Sequence, residues 1–315
     1  MMLRNEEKRS IMSYRIYTTD HDEIASAEDV LAQLRPHGRA QGETDWTEKL
    51  ASAVDSTHPA CELTPAEARH LREGRAAILS ILQGCNRDIP VTFLLDNSGS
   101  MRGRNMMALV QSMSFAGNLL EEAGIPFEIL GYTTRSWRGG RPWQEWREET
   151  KGEDPRNIDR PGRLNELRHV VFKEIDAPWD IQCLRLLMVP DYSKENIDGE
   201  ALAWARERIA ERGGPGSIVF VNDGAPVDNA TNAANGETFL RAHALAEHDR
   251  IMGDPSVRMS TVTITPSQPF YPDAVMVDLE ETDVRGFAIP LIKAVAEAGL
   301  AVVAAHDTDL EITPA

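Results

Sequence analysis

The pattern of apolar and polar positions first becomes regular at residue 91. Val91 to Leu95 is almost entirely apolar and ends at Asp96, and apolar residues then recur at intervals of three and four from Met106 to Ala123. The first pattern predicts a buried strand, and the second predicts an amphipathic helix that ends at Gly124. A short polar loop therefore joins a core strand to a core helix.

Strands and helices continue to alternate towards the C-terminus. The pattern predicts strands at Phe127–Tyr132, Ser217–Val221, Met259–Thr265 and Ala274–Val277, and helices at Ser193–Ile209, Glu237–His248 and Asp283–Ala298. Between Gly162 and Trp179 it fits a strand or a helix equally well. Because alternating strands and helices form right-handed crossovers, we predict an α/β protein with a mostly parallel central sheet and helices on both faces.

The first part of the chain has a different pattern. Residues 1–11 are charged and are predicted to form a disordered tail, and residues 12–88 are predicted to form a small, mainly helical N-terminal region. Within this region we predict a short strand at Ser13–Thr18 and helices at Ala27–Leu34, Trp46–Val54 and Thr64–Leu82. Residues 89–310 are predicted to form the α/β domain, with an insertion at about 135–162.

Composition and charge narrow the classes of function. A hydrophobic content of 42% indicates a folded protein, and the formal net charge of −17 argues against sequence-independent binding to nucleic-acid phosphates. The 3 cysteines form no C-x-x-C pair, so neither a thiolate zinc site nor a disulfide scaffold is expected. No apolar run approaches the ~18 residues of a membrane span, and the N-terminus lacks the apolar core of a signal peptide. We therefore expect a cytoplasmic protein with neither nucleic-acid nor membrane partners.

The loop after the first core strand carries the strongest candidate chemistry. Asp96, Ser98 and Ser100 form a D-x-S-x-S motif, and ligands of open α/β sheets bind at the carboxyl ends of the strands. One carboxylate and two hydroxyls are hard oxygen donors of the kind that Mg²⁺ or Mn²⁺ prefers. In this context the motif resembles the metal-ion-dependent adhesion site of von Willebrand factor A (VWA) domains.

Other oxygen-rich loops are predicted at the same edge of the sheet. They are Thr133–Thr134, Asn196–Asp198 and the loop at Asp223. Ser98 and Ser100 would bind a divalent cation through their hydroxyls. Asp96 and Asp223 would bind it directly or through water, because Mg²⁺ keeps several waters. One coordination position would stay open for a carboxylate from a partner protein.

Two other interpretations of the first loop remain open. The loop could be purely structural, with Asp96 capping the turn that follows. It could also belong to a phosphoryl-transfer enzyme of the haloacid dehalogenase type, although such enzymes need a second acid where this chain has Ser98. No G-x-x-x-x-G-K-[ST] sequence occurs, so we expect this chain to bind no nucleotide.

The insertion at about 135–162 combines aromatic and basic residues. Its members are Trp137, Trp143, Trp146, Arg135, Arg138, Arg141 and Arg147. Such a mixture can stack on bases or on a planar macrocycle, or it can pack on itself or on a partner protein. Trp and Arg are frequent anchors of protein interfaces, which favours a protein partner, and the acidity of the chain makes nucleic acid the weakest alternative.

Longer stretches of the sequence resemble one protein family. The matching blocks are YRIYTTDHDEIASAED (14–29), LLDNSGSMRGR (94–104), ILGYTTRSWRGG (129–140), GRLNELRHVVFK (162–173), DAPW (176–179), KENIDGEALAWARERI (194–209) and NDGAPVD (222–228). They are similar to the T subunit of aerobic cobalt chelatase (cobaltochelatase), whose C-terminal half is a VWA domain with a metal-ion-dependent adhesion site. Residues 30–88 are shorter than in that family and residues 261–273 diverge from it, so the chain resembles a shortened version.

The resemblance implies a Rossmann-like VWA fold and a role in cobalamin biosynthesis. It places Asp198 at the second-loop threonine position of the metal site and Asp223 at the third-loop aspartate. A large chelating subunit would insert cobalt into a corrinoid, and an AAA+ ATPase ring would drive the reaction. This chain would be a non-catalytic, Mg²⁺-dependent adaptor between them and could join the ring assembly.

The resemblance also implies a set of partner-binding residues. They are Arg102, Arg135, Trp137 and Arg138. The alternative function is that of a non-enzymatic VWA adaptor of another AAA+ remodelling machine.

Overall fold

The computed structural model of the protein describes residues 14–34, 50, 75–154, 157–189, 191–265, 268–272, 274–279, 292–293 and 295. Three predicted segments lie wholly or mostly outside the described residues. They are the tail at 1–11, the helix Trp46–Val54, of which Leu50 alone is described, and most of the helix Asp283–Ala298. Residues 75–83 are helical, in agreement with the described part of the predicted helix Thr64–Leu82.

A seven-stranded sheet with the strand order β1-β4-β3-β2-β5-β6-β7 organises the described residues. The strands are β1 Glu23–Ser26, β2 Val91–Asp96, β3 Phe127–Thr134, β4 Leu167–Lys173, β5 Gly216–Asn222, β6 Val257–Ile264 and β7 Val275–Val277. Neighbouring strands run parallel except β3 and β4, which are antiparallel. The predicted α/β fold with a mostly parallel sheet is confirmed, and the ambiguous segment Gly162–Trp179 contains β4.

Helices cover both faces of this sheet. The helices of the described region are α1 Ala27–Leu34, α2 Arg104–Ala123, α3 Arg141–Glu149, α4 Asp198–Arg212, α5 Asn229–Asn235 and α6 Thr238–Met252, with 3₁₀ helices at Gly99–Met101 and Ile181–Met188. Along β2, Phe93 and Leu95 pack in the core layer that contains α2, whereas Leu94 packs in the layer that contains α4 and α6. Both faces of this central strand are buried, which explains its unbroken apolar run. None of the described helices is long and apolar enough to cross a membrane.

The edge strand that comes from the N-terminal part of the chain differs from the prediction. The sequence predicts a strand at Ser13–Thr18, but in the described part of that segment the chain forms an isolated bridge between Ile16 and Arg163. The edge strand is instead β1, which pairs in parallel with β4. An ion pair of 2.8 Å between Glu23 Oε2 and Arg168 Nε stabilises this register. Because the pair joins residues far apart in the sequence, the local polar pattern gives no sign of a strand. This part of the predicted N-terminal region therefore belongs to the sheet.

Candidate metal centre

The first loop of the candidate site begins where β2 ends. Asp96 is the last residue of β2 and is fully buried. Its Oδ1 accepts a hydrogen bond of 2.7 Å from the backbone N–H of Ser98, just before the 3₁₀ helix at Gly99–Met101. Its Oδ2 lies 3.5 Å from the side-chain amide of Asn196. Asn196 belongs to the second loop of the site, Asn196–Asp198. Asp96 therefore has one carboxylate oxygen bound to its own loop and one that faces the second loop.

Serine hydroxyls connect the first loop to the loop after β5. Ser98 Oγ and Ser100 Oγ lie 3.0 Å apart, and Ser100 Oγ donates to Asp223 Oδ1 at 2.9 Å. Asp223 directly follows β5, which is a parallel neighbour of β2. The structure thus brings Asp96, Ser98, Ser100 and Asp223 together at the carboxyl edge of the sheet.

The carboxylate of Asp198 is held by side chains of the same chain. Asp198 is the first residue of α4 and is fully buried. Its Oδ1 accepts a hydrogen bond of 2.8 Å from Asn196 Nδ2, and its Oδ2 accepts one of 2.6 Å from the Tyr271 hydroxyl. The same Asn196 amide approaches Asp96. Asp198 therefore supports the second loop, and Asn196 links it to the first.

Tyr271 is a site residue that the sequence reasoning missed. It lies between β6 and β7 and is buried against the rings of Phe220 and His248. Its hydrogen-bond partner Asp198 is 73 residues away in the sequence. The signal that could have identified it is its place after β6, a parallel strand that ends at the same edge as β2 and β5.

The carboxyl groups of Asp198 and Asp223 lie close enough to Asp96 to affect its pKa. Burial raises the pKa of Asp96 well above its usual range, and the negative charges of Asp223 and Asp198 raise it further. Burial also raises the pKa of Asp198 to about 6 and the pKa of Asp223 above its usual value. Holding carboxylates close together in a buried place costs free energy, which a bound divalent cation would offset. The electrostatics of the site therefore fit a cation.

The donors of the site include hydroxyl groups as well as acids. Among the described side chains there is no group of three or more His, Cys, Asp and Glu residues placed to hold one metal ion. The converging donors are Asp96, Ser98, Ser100 and Asp223. Such a set fits Mg²⁺ or Mn²⁺, which accept carboxylate, hydroxyl and water oxygens, better than it fits a thiolate- or imidazole-bound metal.

Thr133 and Thr134 lie at the predicted edge but support the second loop from the side of β3. Thr133 Oγ1 accepts a hydrogen bond of 2.9 Å from the backbone N–H of Lys194 and donates one of 3.1 Å to the carbonyl of Glu195. Thr134 Oγ1 accepts a hydrogen bond of 3.1 Å from the backbone N–H of Glu195. The threonine pair therefore fixes the path of the chain that leads to Asn196.

Trp137 lies directly on the first loop. A Cβ atom on Gly99 would be 2.4 Å from Cη2 of the indole, so a side chain there would displace the ring. The guanidinium of Arg102 lies 5.2 Å from the ring centroid and the ammonium of Lys194 lies 5.8 Å from it, within the range of cation–π attraction. The indole remains 45% exposed. Trp137 and Arg102, which were predicted to bind a partner, thus form one exposed cluster beside the D-x-S-x-S loop.

The other two predicted partner-binding residues flank Trp137. Arg135 Nε lies 3.5 Å from Glu23 Oε2 at the edge of the sheet. Arg138 is exposed and has a φ of 60°, in the left-handed region that non-glycine residues seldom adopt. Its backbone N–H donates to Glu195 Oε2 at 2.6 Å, which holds this conformation. The loop therefore presents Trp137 and Arg138 at the surface in a fixed conformation.

Glu195 joins the Trp137 loop to the second loop of the site. Besides Arg138, its carboxylate accepts a hydrogen bond of 3.0 Å from the backbone N–H of Asn229 at the start of α5. Asn165 Nδ2 donates to both Glu195 Oε2 and Asp228 Oδ2, at 3.3 and 2.5 Å. Burial, together with the nearby charge of Asp228, raises the pKa of Glu195 to about 7. This network has no signature in the sequence, because its members come from separate segments.

The chain matches a known family over most of the α/β region. The matching family is described as the cobalamin biosynthesis protein CobT VWA domain, and the match covers residues 83–284. All of the site residues described above except Glu23 fall within this range.

Several solved structures are also similar to part of the chain. The pilus adhesin SpaC from Lactobacillus rhamnosus GG has 12% identity and a TM-score of 0.44, covering 67% of this chain and 30% of its own. Proximal thread matrix protein 1 from the mussel byssus has 12% identity and a TM-score of 0.41, covering 67% of this chain and 49% of its own. The human COPII-coat protein Sec24c has 11% identity and a TM-score of 0.36, covering 66% of this chain and 32% of its own. The chain thus spans less than half the length of each of these proteins.

Proposed function

The chain belongs to the CobT VWA-domain family of cobalamin biosynthesis proteins, and from this membership we propose that it is the adaptor subunit of an ATP-dependent cobalt chelatase. In this proposal an AAA+ ATPase ring uses ATP, a large chelating subunit inserts cobalt into a corrinoid, and this chain transmits motion between them. Cobalt and the corrinoid are substrates of the complex and do not bind at the candidate metal centre.

The observation that carries the proposal is the convergence of oxygen donors from two loops at one sheet edge. Ser98 and Ser100 form a chain of hydroxyls that ends on Asp223, and Asp96 lies buried at the start of the same loop. These four residues would hold Mg²⁺ or Mn²⁺. When bound, the ion would supply a Lewis-acidic position that accepts a carboxylate from another protein.

The surrounding residues would keep this site in shape. Asp198 and Asn196 brace the second loop, and the charge of Asp198 adds to the negative field around Asp96. A more negative site holds a divalent cation more tightly, so we expect cation binding to precede binding of the partner. Trp137 and Arg102 would extend the contact on the outer side of the first loop.

The experiment that tests this function is reconstitution with both partner subunits. We expect the full chain to bind the ATPase in the presence of Mg²⁺ and to increase the formation of cobalt corrinoid only when the chelating subunit and ATP are also present. Asp96→Ala should abolish both effects and leave the fold intact. Asp249→Ala, at an aspartate whose side chain is 78% exposed, should preserve both effects.

The results distinguish the two functions that remained open from the sequence. ATPase binding without stimulation of cobalt insertion would contradict the chelatase assignment and favour an adaptor of another AAA+ machine. ATPase binding by the Asp96→Ala variant equal to that of the unmodified chain would contradict the metal-bridge mechanism.

A further inference from the structure

A basic cleft of about 880 Å³ lies beside the first loop of the candidate metal centre. Its basic residues are Arg135, Arg141, Arg168 and Lys194, and Trp137 forms part of its wall. The chain as a whole carries a formal charge of −17. A concentration of cations in one cleft is therefore a local exception to the charge of the protein.

The acids of the molecule only partly neutralise this cleft. Arg141 Nε pairs with Glu166 Oε1 at 2.6 Å. Arg168 and Arg135 share a single carboxylate, that of Glu23, at 2.8 and 3.5 Å. Asp191 also lines the cleft, so the three acids Glu23, Glu166 and Asp191 face four basic residues. The cleft therefore keeps one unbalanced positive charge that a bound anion would neutralise.

Among the basic residues of the cleft, Lys194 is bonded to the metal loop through its backbone. Its ammonium lies 5.8 Å from the centroid of the Trp137 ring, and its carbonyl accepts a hydrogen bond of 2.6 Å from the backbone N–H of Gly99. Burial lowers the pKa of Lys194, and the positive charges of Arg102 and Arg168 act in the same direction, opposed by Asp191. An anion placed beside Lys194 would therefore relieve repulsion between cations.

The cleft and the metal loop share one wall. Trp137 lines the cleft on one side, and on the other it lies on Gly99, between Ser98 and Ser100. An extended peptide that places one carboxylate at the metal centre would pass the exposed indole to reach the cleft. The metal loop and the cleft are thus placed to bind a single ligand.

We infer that this cleft binds a short acidic segment of the partner protein, with one carboxylate at the metal centre and the neighbouring carboxylates among Arg135, Arg168 and Lys194. The inference rests on the proposed adaptor function and names the chemistry of the partner. Guanidinium groups bind carboxylates through paired hydrogen bonds, and aromatic rings cover the carbon chains of such residues. The negative charge of the whole chain disfavours nucleic acid as the occupant.

The test uses the full chain and a fluorescein-labelled peptide of alternating Glu and Ala residues as the probe. Binding is followed by fluorescence anisotropy in Mg²⁺ and in EDTA. Lys194→Gln should weaken binding roughly threefold, which corresponds to one partly exposed ion pair. Lys151→Gln, at a lysine whose side chain is 71% exposed and which does not line the cleft, should leave the affinity unchanged. A matched peptide of alternating Gln and Ala should bind far more weakly.

The outcomes separate this inference from the proposed function. Any of three results would overturn the acidic-segment inference. They are an affinity of Lys194→Gln equal to that of the unmodified chain, binding of the Gln peptide as tight as that of the Glu peptide, and no saturable binding of the Glu peptide. Weaker binding by Lys194→Gln with no effect of EDTA or Asp96→Ala would support the cleft and contradict the metal bridge. Complete displacement of the peptide by inorganic phosphate at equal concentration would show a small-anion site and also overturn the inference.

Discussion

Replacing Tyr271 by phenylalanine tests the support of the second loop with a minimal change. The substitution removes one hydroxyl group, which donates a hydrogen bond of 2.6 Å to the fully buried carboxylate of Asp198. A hydrogen bond to a charged group contributes roughly 1.5–3 kcal/mol, and a buried acceptor that loses its donor keeps the full cost of its desolvation. We therefore expect Tyr271→Phe to lower the free energy of unfolding by about 2 kcal/mol.

The assay is urea denaturation in EDTA, at a pH above the Asp198 pKa of about 6, so that the carboxylate is ionised and no cation contributes. The matched control is Tyr17→Phe, since Tyr17 lies near the surface and its hydroxyl bonds to Glu149. Surface substitutions change stability by about 0.5 kcal/mol or less. A Tyr271→Phe variant as stable as the Tyr17→Phe control would refute the argument that this hydroxyl holds Asp198 in place.

Three further predictions concern the surroundings of the site. Gly99→Ala should displace the Trp137 indole and increase the quenching of tryptophan fluorescence by acrylamide. Gly214→Ala, with no atom within 4 Å of the added Cβ, should not change it. Unchanged quenching in both variants would contradict the contact between Gly99 and Trp137. Because burial raises the pKa of Glu195 from 4.5 to about 7, the folded state binds its proton more tightly than the unfolded state. The free energy of unfolding of the unmodified chain, relative to that of Glu195→Gln, should therefore fall as the pH rises from 4.5 to about 7 and stay constant above it. A difference in free energy of unfolding that does not change with pH would refute the raised pKa of Glu195. Arg163→Met removes the buried side chain that pairs with Asp22 at 2.5 Å and with Glu200 at 2.7 Å. Loss of one member of a buried ion-pair cluster typically costs about 3–5 kcal/mol, so limited proteolysis should cut within residues 14–34 more readily than in the unmodified chain; an unchanged midpoint in urea would contradict this role.

The central part of the fold could be predicted from local sequence patterns. The apolar run at β2 and the periodicity of α2 reflect burial on both faces of the strand and on one face of the helix, so each pattern is visible within a short window. The order of strands and helices then implies a parallel sheet, and a parallel sheet places the loops after β2 and β5 at the same edge. Asp96, Ser98, Ser100 and Asp223 could be grouped by this reasoning alone.

The remaining features depend on pairs of residues that are distant in the sequence. The strand β1 has 4 residues, and its register is stabilised by the distant Arg168, so its own residues do not predict a strand. The carboxylate of Asp198 is oriented by Tyr271, and neither local periodicity nor a motif relates the two. The contact of Trp137 with Gly99 likewise appears only when the loop after β3 folds over the loop after β2.

The central claim is that the loops after β2 and β5 hold a divalent cation, and calorimetric titration of the full chain with Mg²⁺ tests it most directly. We predict a single saturable binding event that is lost in Asp96→Ala and kept in Asp249→Ala, with the same outcome for Mn²⁺. Asp96 contributes a buried carboxylate to the site, whereas Asp249 is exposed. Absence of saturable binding by the unmodified chain, or binding that survives Asp96→Ala unchanged, would contradict the claim.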